Sequence, residues 1–130
     1  MCEIVKLISS LDWYRAKLPV SETKLRECEK KLKLSFSKEY REYLLKYGCV
    51  TFYGHELTGI CEEECLNVVD VTISARKFTD VPGDWYVIEE ANIDGILIWQ
   101  ATDGTVYLTA PGEAPKIIAS SLAVYIEKWK

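Results

Sequence analysis

The stretch from Leu25 to Gly48 constrains the fold more than any other part of the chain, because its periodicity predicts two helices in quick succession. Leu25, Cys28 and Leu32 recur at positions i, i+3 and i+7, which places them on one face of the first helix. The second helix has a wider apolar stripe, which consists of Tyr40, Tyr43, Leu44 and Tyr47. We therefore expect two helices with one apolar face each.

Residues at the ends of the second helix support its predicted bounds. Ser37 can cap the helix, because its hydroxyl can accept a hydrogen bond from a free N–H of the first turn. Gly48 follows the last apolar residue, where glycine adopts a left-handed conformation most easily. Between the helices, Leu34 and Phe36 alternate with polar residues and are expected to enter the core. This unit is predicted to be a structural corner, not a catalytic motif.

Chain length and cysteine content define the class of protein. A chain of 130 residues suits one domain, residues 1–130, that buries about two-thirds of its unfolded surface. No apolar run approaches the ~20 residues of a membrane helix, and Glu3 and Lys6 interrupt the N-terminal apolar residues, unlike a signal peptide. The five cysteines are an odd number and are expected to be reduced thiols. We therefore expect a cytoplasmic protein with no membrane partner.

The formal net charge of −4 hides a division between the two parts of the chain. Residues 1–48 hold 11 Lys and Arg against 7 Asp and Glu, a net charge of +4. Residues 49–130 hold 5 basic against 13 acidic residues, a net charge of −8. An acidic part of this size repels nucleic acid and attracts basic proteins. For any single carboxylate, the alternative is that it only keeps the domain soluble.

The remaining elements predict an α+β fold with N-terminal helices, an antiparallel β-sheet meander and a C-terminal helix packed back on it. A first helix contains Ile4 to Leu11 and is followed by Trp13 and Tyr14 at its end. The elements after Gly48 are a hairpin over 49–60, a helix over about 67–78, strands over 85–91, 96–99, 106–108 and 116–119, and a last helix over 122–129.

The order of residues in the helical corner resembles the SUKH superfamily, the Smi/Knr-like proteins. The residues that carry this resemblance are apolar, apart from one glutamate and the final glycine: Leu25, Glu29, Leu32, Leu34, Phe36, Tyr40, Leu44, Tyr47 and Gly48. Later agreement comes from Gly59, Val87-Ile88-Glu89, Asp94-Gly95, Asp103-Gly104 with Val106-Tyr107, and Ile118-Ala119. The resemblance spans about Ile4 to Trp129 and implies the fold more strongly than the function.

The chain departs from the family pattern at three positions, all of them in turns. Lys33 stands where the family usually has glycine, Ser37 where it has proline, and Cys49 where a second glycine is common. These changes concern the geometry of the links between elements.

The resemblance implies an immunity protein that binds a cognate polymorphic or contact-dependent bacterial toxin, often a nuclease. An acidic protein can be steered onto the basic surface with which such a nuclease binds phosphates. The candidate partner-binding residues are carboxylates and one nearby tryptophan: Glu62, Glu63, Glu64, Asp84, Trp85, Glu89 and Glu90. Trp85 fits an interface anchor and a core residue equally well. The alternative function is a general protein-binding or regulatory scaffold of the same fold.

Catalytic, cofactor and metal sites find little support in the sequence. His55 is the only histidine, no glycine-rich phosphate loop is present, and Glu89 and Glu90 point to opposite faces of a strand. Cys61 and Cys65 lie four residues apart around an acidic loop, but zinc needs four ligands. We therefore expect no enzyme, no cofactor and no metal ion, with ordinary thiols at both cysteines.

Overall fold

The computed structural model describes residues 3–62, 66–91 and 94–129. The helices are α1 (Glu3–Ser9), α2 (Glu22–Leu32), α3 (Lys38–Tyr47), α4 (Val68–Arg76) and α5 (Leu122–Glu127). The strands are β1 (Arg15–Ala16), β2 (Val50–Phe52), β3 (His55–Glu56), β4 (Tyr86–Glu90), β5 (Leu97–Gln100), β6 (Val106–Thr109) and β7 (Lys116–Ala119). This arrangement confirms the predicted α+β class.

The helical corner has the caps that the sequence predicts. Ser37 Oγ accepts a hydrogen bond from the backbone N–H of Tyr40 at 3.0 Å, and Gly48 ends α3 with a φ of 71°. Lys33 ends α2 in the left-handed conformation, with a φ of 57°. The lysine thus adopts the backbone geometry for which glycine is the usual residue, at some conformational cost.

An ion pair between the buried Glu29 and the exposed Arg41 holds the link between α2 and α3. Glu29 Oε2 accepts hydrogen bonds from the backbone N–H of Phe36 at 2.8 Å and from Arg41 Nη2 at 2.9 Å. The carboxylate satisfies a backbone donor inside the turn while the guanidinium of Arg41 balances its charge. The glutamate of the family pattern is therefore a structural residue in this chain.

The strands form two antiparallel sheets, one with the order β1-β2-β3 and one with the order β4-β5-β6-β7. An isolated antiparallel bridge between Leu57 and Glu89 connects the two sheets. Strand β1 was not predicted, and the prediction that Trp13 and Tyr14 close the first helix is wrong. Helix α1 ends at Ser9, and Ser10 Oγ donates to the carbonyl of Leu7 at 2.7 Å, which helps to end the helix.

A β-bulge in β4 decides where two adjacent glutamates point. Val87 pairs with Trp99 and Glu89 with Ile98, so Ile88 is the extra residue of the bulge. Glu89 is buried whereas Glu90 is exposed. The prediction that these two carboxylates lie on opposite faces is confirmed.

Two hydrophobic clusters lie on opposite sides of the larger sheet. The main cluster joins α1, α2, α3 and α5 to the inner face and includes Tyr40, Leu44, Leu122 and Ile126. The smaller cluster lies beneath α4 on the outer face and consists of Val71, Trp85, Val87, Trp99 and Ala101. The outer cluster defines the surface on which the candidate site lies.

Candidate partner-binding surface

Helix α4 covers only one half of the outer face of the four-stranded sheet. A row of cross-strand neighbours runs across this face from Val87 to Trp99, Tyr107 and Ile117. Val87 and Trp99 are fully buried, Tyr107 is half-buried, and Ile117 is 70% exposed. The helix packs against β4, and the backbone N–H of Val87 donates to Thr72 Oγ1 at 3.0 Å. The exposure of this row therefore rises from β5 to β7, and the outer face is open at β7.

A groove of about 770 Å³ lies between α4 and the loop that joins β6 to β7. One wall comes from α4 and the turn after it, and includes Val71, Ser74, Ala75 and Phe78. The other wall is the 110–115 loop, and Leu97 and Thr109 provide the floor from β5 and β6. We call this feature the α4 groove. All of the residues that line it lie between Val71 and Pro115, within the acidic part of the chain.

Phe78 is the most exposed aromatic residue of this surface, with 87% of its area accessible to solvent. It follows α4 in a turn in which the backbone N–H groups of Phe78 and Thr79 both donate to the carbonyl of Ala75, at 3.1 and 3.0 Å. These bonds hold the turn against the helix end. An exposed large apolar side chain next to a groove is typical of a binding surface.

Three exposed carboxylates line the α4 groove. Asp80 follows α4, Glu90 ends β4, and Glu113 lies in the 110–115 loop. Among the described residues that line the groove there is no lysine or arginine. The groove therefore combines an apolar floor with a negative rim, which suits a partner that carries both apolar and cationic side chains.

A cleft of opposite charge adjoins the α4 groove. It is lined by Lys33, Arg76 and Lys77, and it shares Thr79 and Asp80 with the groove. The guanidinium of Arg76 donates to the carbonyls of Leu32 at 3.1 Å and Gly83 at 3.0 Å, and burial lowers its pKa from the usual value. The residues at 79–80 thus separate a basic cleft from an acidic groove.

The structure places the predicted partner-binding residues in several different regions. Glu90 lies in the α4 groove, whereas Asp84 is exposed near the opposite end of β4. Trp85 is only 7% exposed, and its ring stacks on Tyr107 with centroids 3.9 Å apart and an interplanar angle of 16°. This burial in the smaller cluster supports core packing for Trp85, and its role as an interface anchor stays a prediction.

Glu89 is also buried, with 5% of its area exposed. Its Oε2 atom lies 2.9 Å from His55 Nδ1, and its Oε1 atom accepts a hydrogen bond from the hydroxyl of Tyr125. Burial and this contact raise the pKa of Tyr125 above its ordinary value. Because both carboxylate oxygens are engaged internally, Glu89 connects β3, β4 and α5 rather than presenting a charge to a partner.

Glu62 lies in a separate cleft of about 970 Å³, which α2 and the residues before it also line. Leu18, Lys17 and Lys24 share this cleft, so its charge is mixed. Glu63, Glu64 and Cys65 lie outside the described residues. The role of Glu63 and Glu64 in partner binding stays a prediction.

The part of the chain that the structure describes contains no group of three or more His, Cys, Asp or Glu side chains placed to hold a metal ion. Cys65, the expected thiol four residues after Cys61, lies outside that part. In residues 3–62, 66–91 and 94–129, no helix is long and apolar enough to span a bilayer.

Sequence reasoning missed Phe78, Asp80 and Glu113. Phe78 was assigned to the end of a helix, and α4 instead ends at Arg76 with Lys77 as its cap. Glu113 lies between Pro111 and Pro115, which signalled a loop but not the wall of a groove. The proline pair was the available signal, because a loop of this kind carries binding residues more often than a strand does.

Comparison with known proteins identifies the family. A family model of the SUKH superfamily, described as SMI1-KNR4 cell-wall, matches residues 1–129. No curated protein matches the chain. The match covers the helical corner, both sheets and α5, and it confirms the resemblance seen in the sequence. The chain belongs to the SUKH superfamily.

Proposed function

We propose that the chain acts as one SUKH-like domain over residues 1–130, and that it is an immunity protein. It binds a basic bacterial toxin domain, a nuclease in the simplest case, and neutralises the toxin by covering its cationic surface. Membership of the superfamily is consistent with such a role. The observation that carries the proposal is the α4 groove, with its apolar floor and its three carboxylates.

The charge distribution supports this partner. Residues 49–130 carry a net charge of −8, and the groove is built entirely from them. A surface of this sign accelerates the encounter with a basic protein and orients the two partners. The same surface repels the phosphates of nucleic acid, so the partner is the nuclease and not its substrate.

Neutralisation by binding requires no chemistry from the immunity protein. His55 and Glu89 lie within hydrogen-bond distance of each other, but both carboxylate oxygens of Glu89 are engaged by neighbouring side chains. We therefore propose a non-enzymatic, cytoplasmic inhibitor that needs no cofactor. Its action depends on affinity and on the surface that it occludes.

The test compares two charge reversals in a co-expression survival assay with the cognate toxin. The groove variant carries Asp80→Lys, Glu90→Lys and Glu113→Lys, and the loop variant carries Glu62→Lys, Glu63→Lys and Glu64→Lys. Reversal at the true interface should abolish protection and slow association with the toxin at low salt, with a smaller difference at high salt.

Circular dichroism and melting temperature control for folding, because exposed charge changes usually alter the free energy of unfolding by less than about 0.5 kcal/mol. If both triple variants protect cells as well as the parent protein, the acidic part of the chain is not the interface. The basic side chains of α2 would then become the surface to test, with an acidic partner.

A further inference from the structure

We infer that the α4 groove recognises a partner segment in which one large apolar side chain is flanked by lysine or arginine. This inference rests on the proposed function and refines it. The proposed function names a toxin as the partner but does not say which side chains of the toxin the groove binds. It rests on the uncovered sheet face, the position of Phe78, the three carboxylates and the basic cleft beside them.

The apolar requirement follows from the floor and walls of the groove. Leu97 is half-buried at the floor, and Phe78 and Pro111 are exposed on opposite walls. An apolar side chain placed between them would remove area from water on both walls at once. Phe78 is held by the turn after α4, so little backbone ordering is needed when a partner binds.

The cationic requirement follows from the positions of the three carboxylates around the groove. Asp80, Glu90 and Glu113 come from three separate elements, and all three line the same groove. Cations on both sides of a central apolar residue would meet carboxylates on more than one wall. A guanidinium can in addition stack on the ring of Phe78, which favours arginine over lysine at that position.

The basic cleft limits which partners fit. Lys33, Arg76 and Lys77 lie on the other side of the 79–80 boundary, and Arg76 is fixed in place by its two carbonyl acceptors. A long, uniformly basic segment that extended past the groove would be repelled there. The adjoining cleft therefore selects a short cationic segment and contributes specificity through repulsion.

The test uses three synthetic peptides, acetylated at the N-terminus and amidated at the C-terminus. The probe is Gly-Arg-Leu-Arg-Gly, and the matched peptides are Gly-Arg-Ser-Arg-Gly, which lacks the apolar residue, and Gly-Glu-Leu-Glu-Gly, which reverses the charge. Each is titrated into the isotope-labelled full chain while the backbone amide signals are followed by nuclear magnetic resonance. The probe should shift signals of the groove, including those of Phe78, Leu97 and Gly112.

Binding of the probe should be at least fivefold tighter than that of either matched peptide. The variant Phe78→Ser should bind the probe at least fivefold more weakly than the parent protein. The double variant Glu90→Gln, Glu113→Gln should do the same. Glu56→Gln and Glu127→Gln, which change exposed carboxylates outside the groove, should leave its affinity within twofold. These control variants distinguish the groove from the general acidity of the chain.

Three results would overturn the inference: shifts centred outside the groove, a serine peptide that binds within twofold of the probe, or equal weakening by the control variants. The peptide experiment needs no toxin, so its result is independent of the survival assay. A groove that binds the probe in a protein that protects against no toxin would contradict the proposed function alone. Protection that survives the groove variant but is lost in the loop variant would contradict this inference and leave the proposed function standing.

Discussion

The imidazole Nδ1 of His55 lies 2.9 Å from Oε2 of the buried Glu89, and this contact joins the small sheet to the large one. The ring of His55 also packs between Phe52 and Trp129, with centroid distances of 5.3 and 4.6 Å. Tyr125 donates to the second oxygen of Glu89 from α5. The carboxylate of Glu89 thereby connects β3, β4 and α5.

Replacing this carboxylate should reduce stability markedly. Glu89→Gln replaces the carboxylate that His55 and Tyr125 contact with an amide, so one of the two contacts loses its acceptor oxygen. We expect the free energy of unfolding to fall by about 1–3 kcal/mol. The matched control is Glu90→Gln, one residue away on the exposed outer face, which should change it by less than about 0.5 kcal/mol. Urea denaturation measures both. Equal effects at the two positions would mean that Glu89 is not held as described.

Buried tyrosines should make the protein sensitive to alkaline pH. Burial raises the pKa of Tyr40, Tyr43, Tyr86 and Tyr125 above the usual value near 10. Above pH 10 the unfolded chain therefore releases protons that the folded chain retains, so stability is present below that pH and falls as the pH rises. Each tyrosine contributes a slope of up to about 1.4 kcal/mol per pH unit.

The measurement is the free energy of unfolding between pH 9 and pH 11.5. Tyr86→Phe should lower stability at pH 9, because Tyr86 donates to Gln100 Oε1 at 2.8 Å. It should also reduce the alkaline slope by one tyrosine, so its deficit relative to the parent protein should shrink as the pH rises. A slope unchanged by this substitution would show that Tyr86 ionises equally in both states.

The predicted core of the helical corner offers a test with adjacent residues. Leu44 is fully buried and Leu45 is 39% exposed. Leu44→Ala should lower the free energy of unfolding by about 2–5 kcal/mol, because it removes buried apolar area and leaves a cavity. Leu45→Ala should have a much smaller effect. Thermal or urea denaturation measures both variants. A larger fall in the free energy of unfolding for Leu45→Ala than for Leu44→Ala would contradict the assigned helix face.

The helical part of the fold could be predicted because its signals are local. Apolar stripes repeat within eight residues, and Ser21, Ser37 and Asn67 each cap the helix that follows them, as Ser37 was expected to do. Strand β1 could not be predicted in this way. It has two exposed residues and depends on pairing with β2 more than thirty residues later in the chain.

The sequence could predict that the candidate site is acidic, but not which residues are grouped in it. The acidic composition of the second part of the chain is visible in the sequence, and Glu90 was identified as a candidate. The grouping of Glu90 with Asp80 and Glu113 depends on the bulge at Ile88 and on a loop that folds over the sheet. The burial of Trp85 likewise depends on a neighbour, Tyr107, in a different strand. Such long-range contacts leave no periodic signal.

Gly59 provides the last prediction, because its backbone passes closer to Gly48 and Cys49 than any side chain would allow. A Cβ atom at Gly59 would lie 1.9 Å from the carbonyl oxygen of Gly48 and 2.8 Å from Cα of Cys49. That carbonyl cannot move freely, since it accepts the backbone N–H of Ile60 at 3.0 Å. Gly59→Ala should therefore lower the free energy of unfolding by about 2 kcal/mol or more, through displacement of backbone.

The matched control is Gly83→Ala. A Cβ atom there meets nothing within 4 Å, and the backbone of Gly83 does not have a positive φ. Alanine at this position restricts the unfolded chain and should leave stability unchanged or raise it by up to about 1 kcal/mol. Urea denaturation of both variants separates a steric effect from the general consequence of replacing glycine. If Gly59→Ala were as stable as Gly83→Ala, the close approach of residues 48 and 59 would not exist in solution.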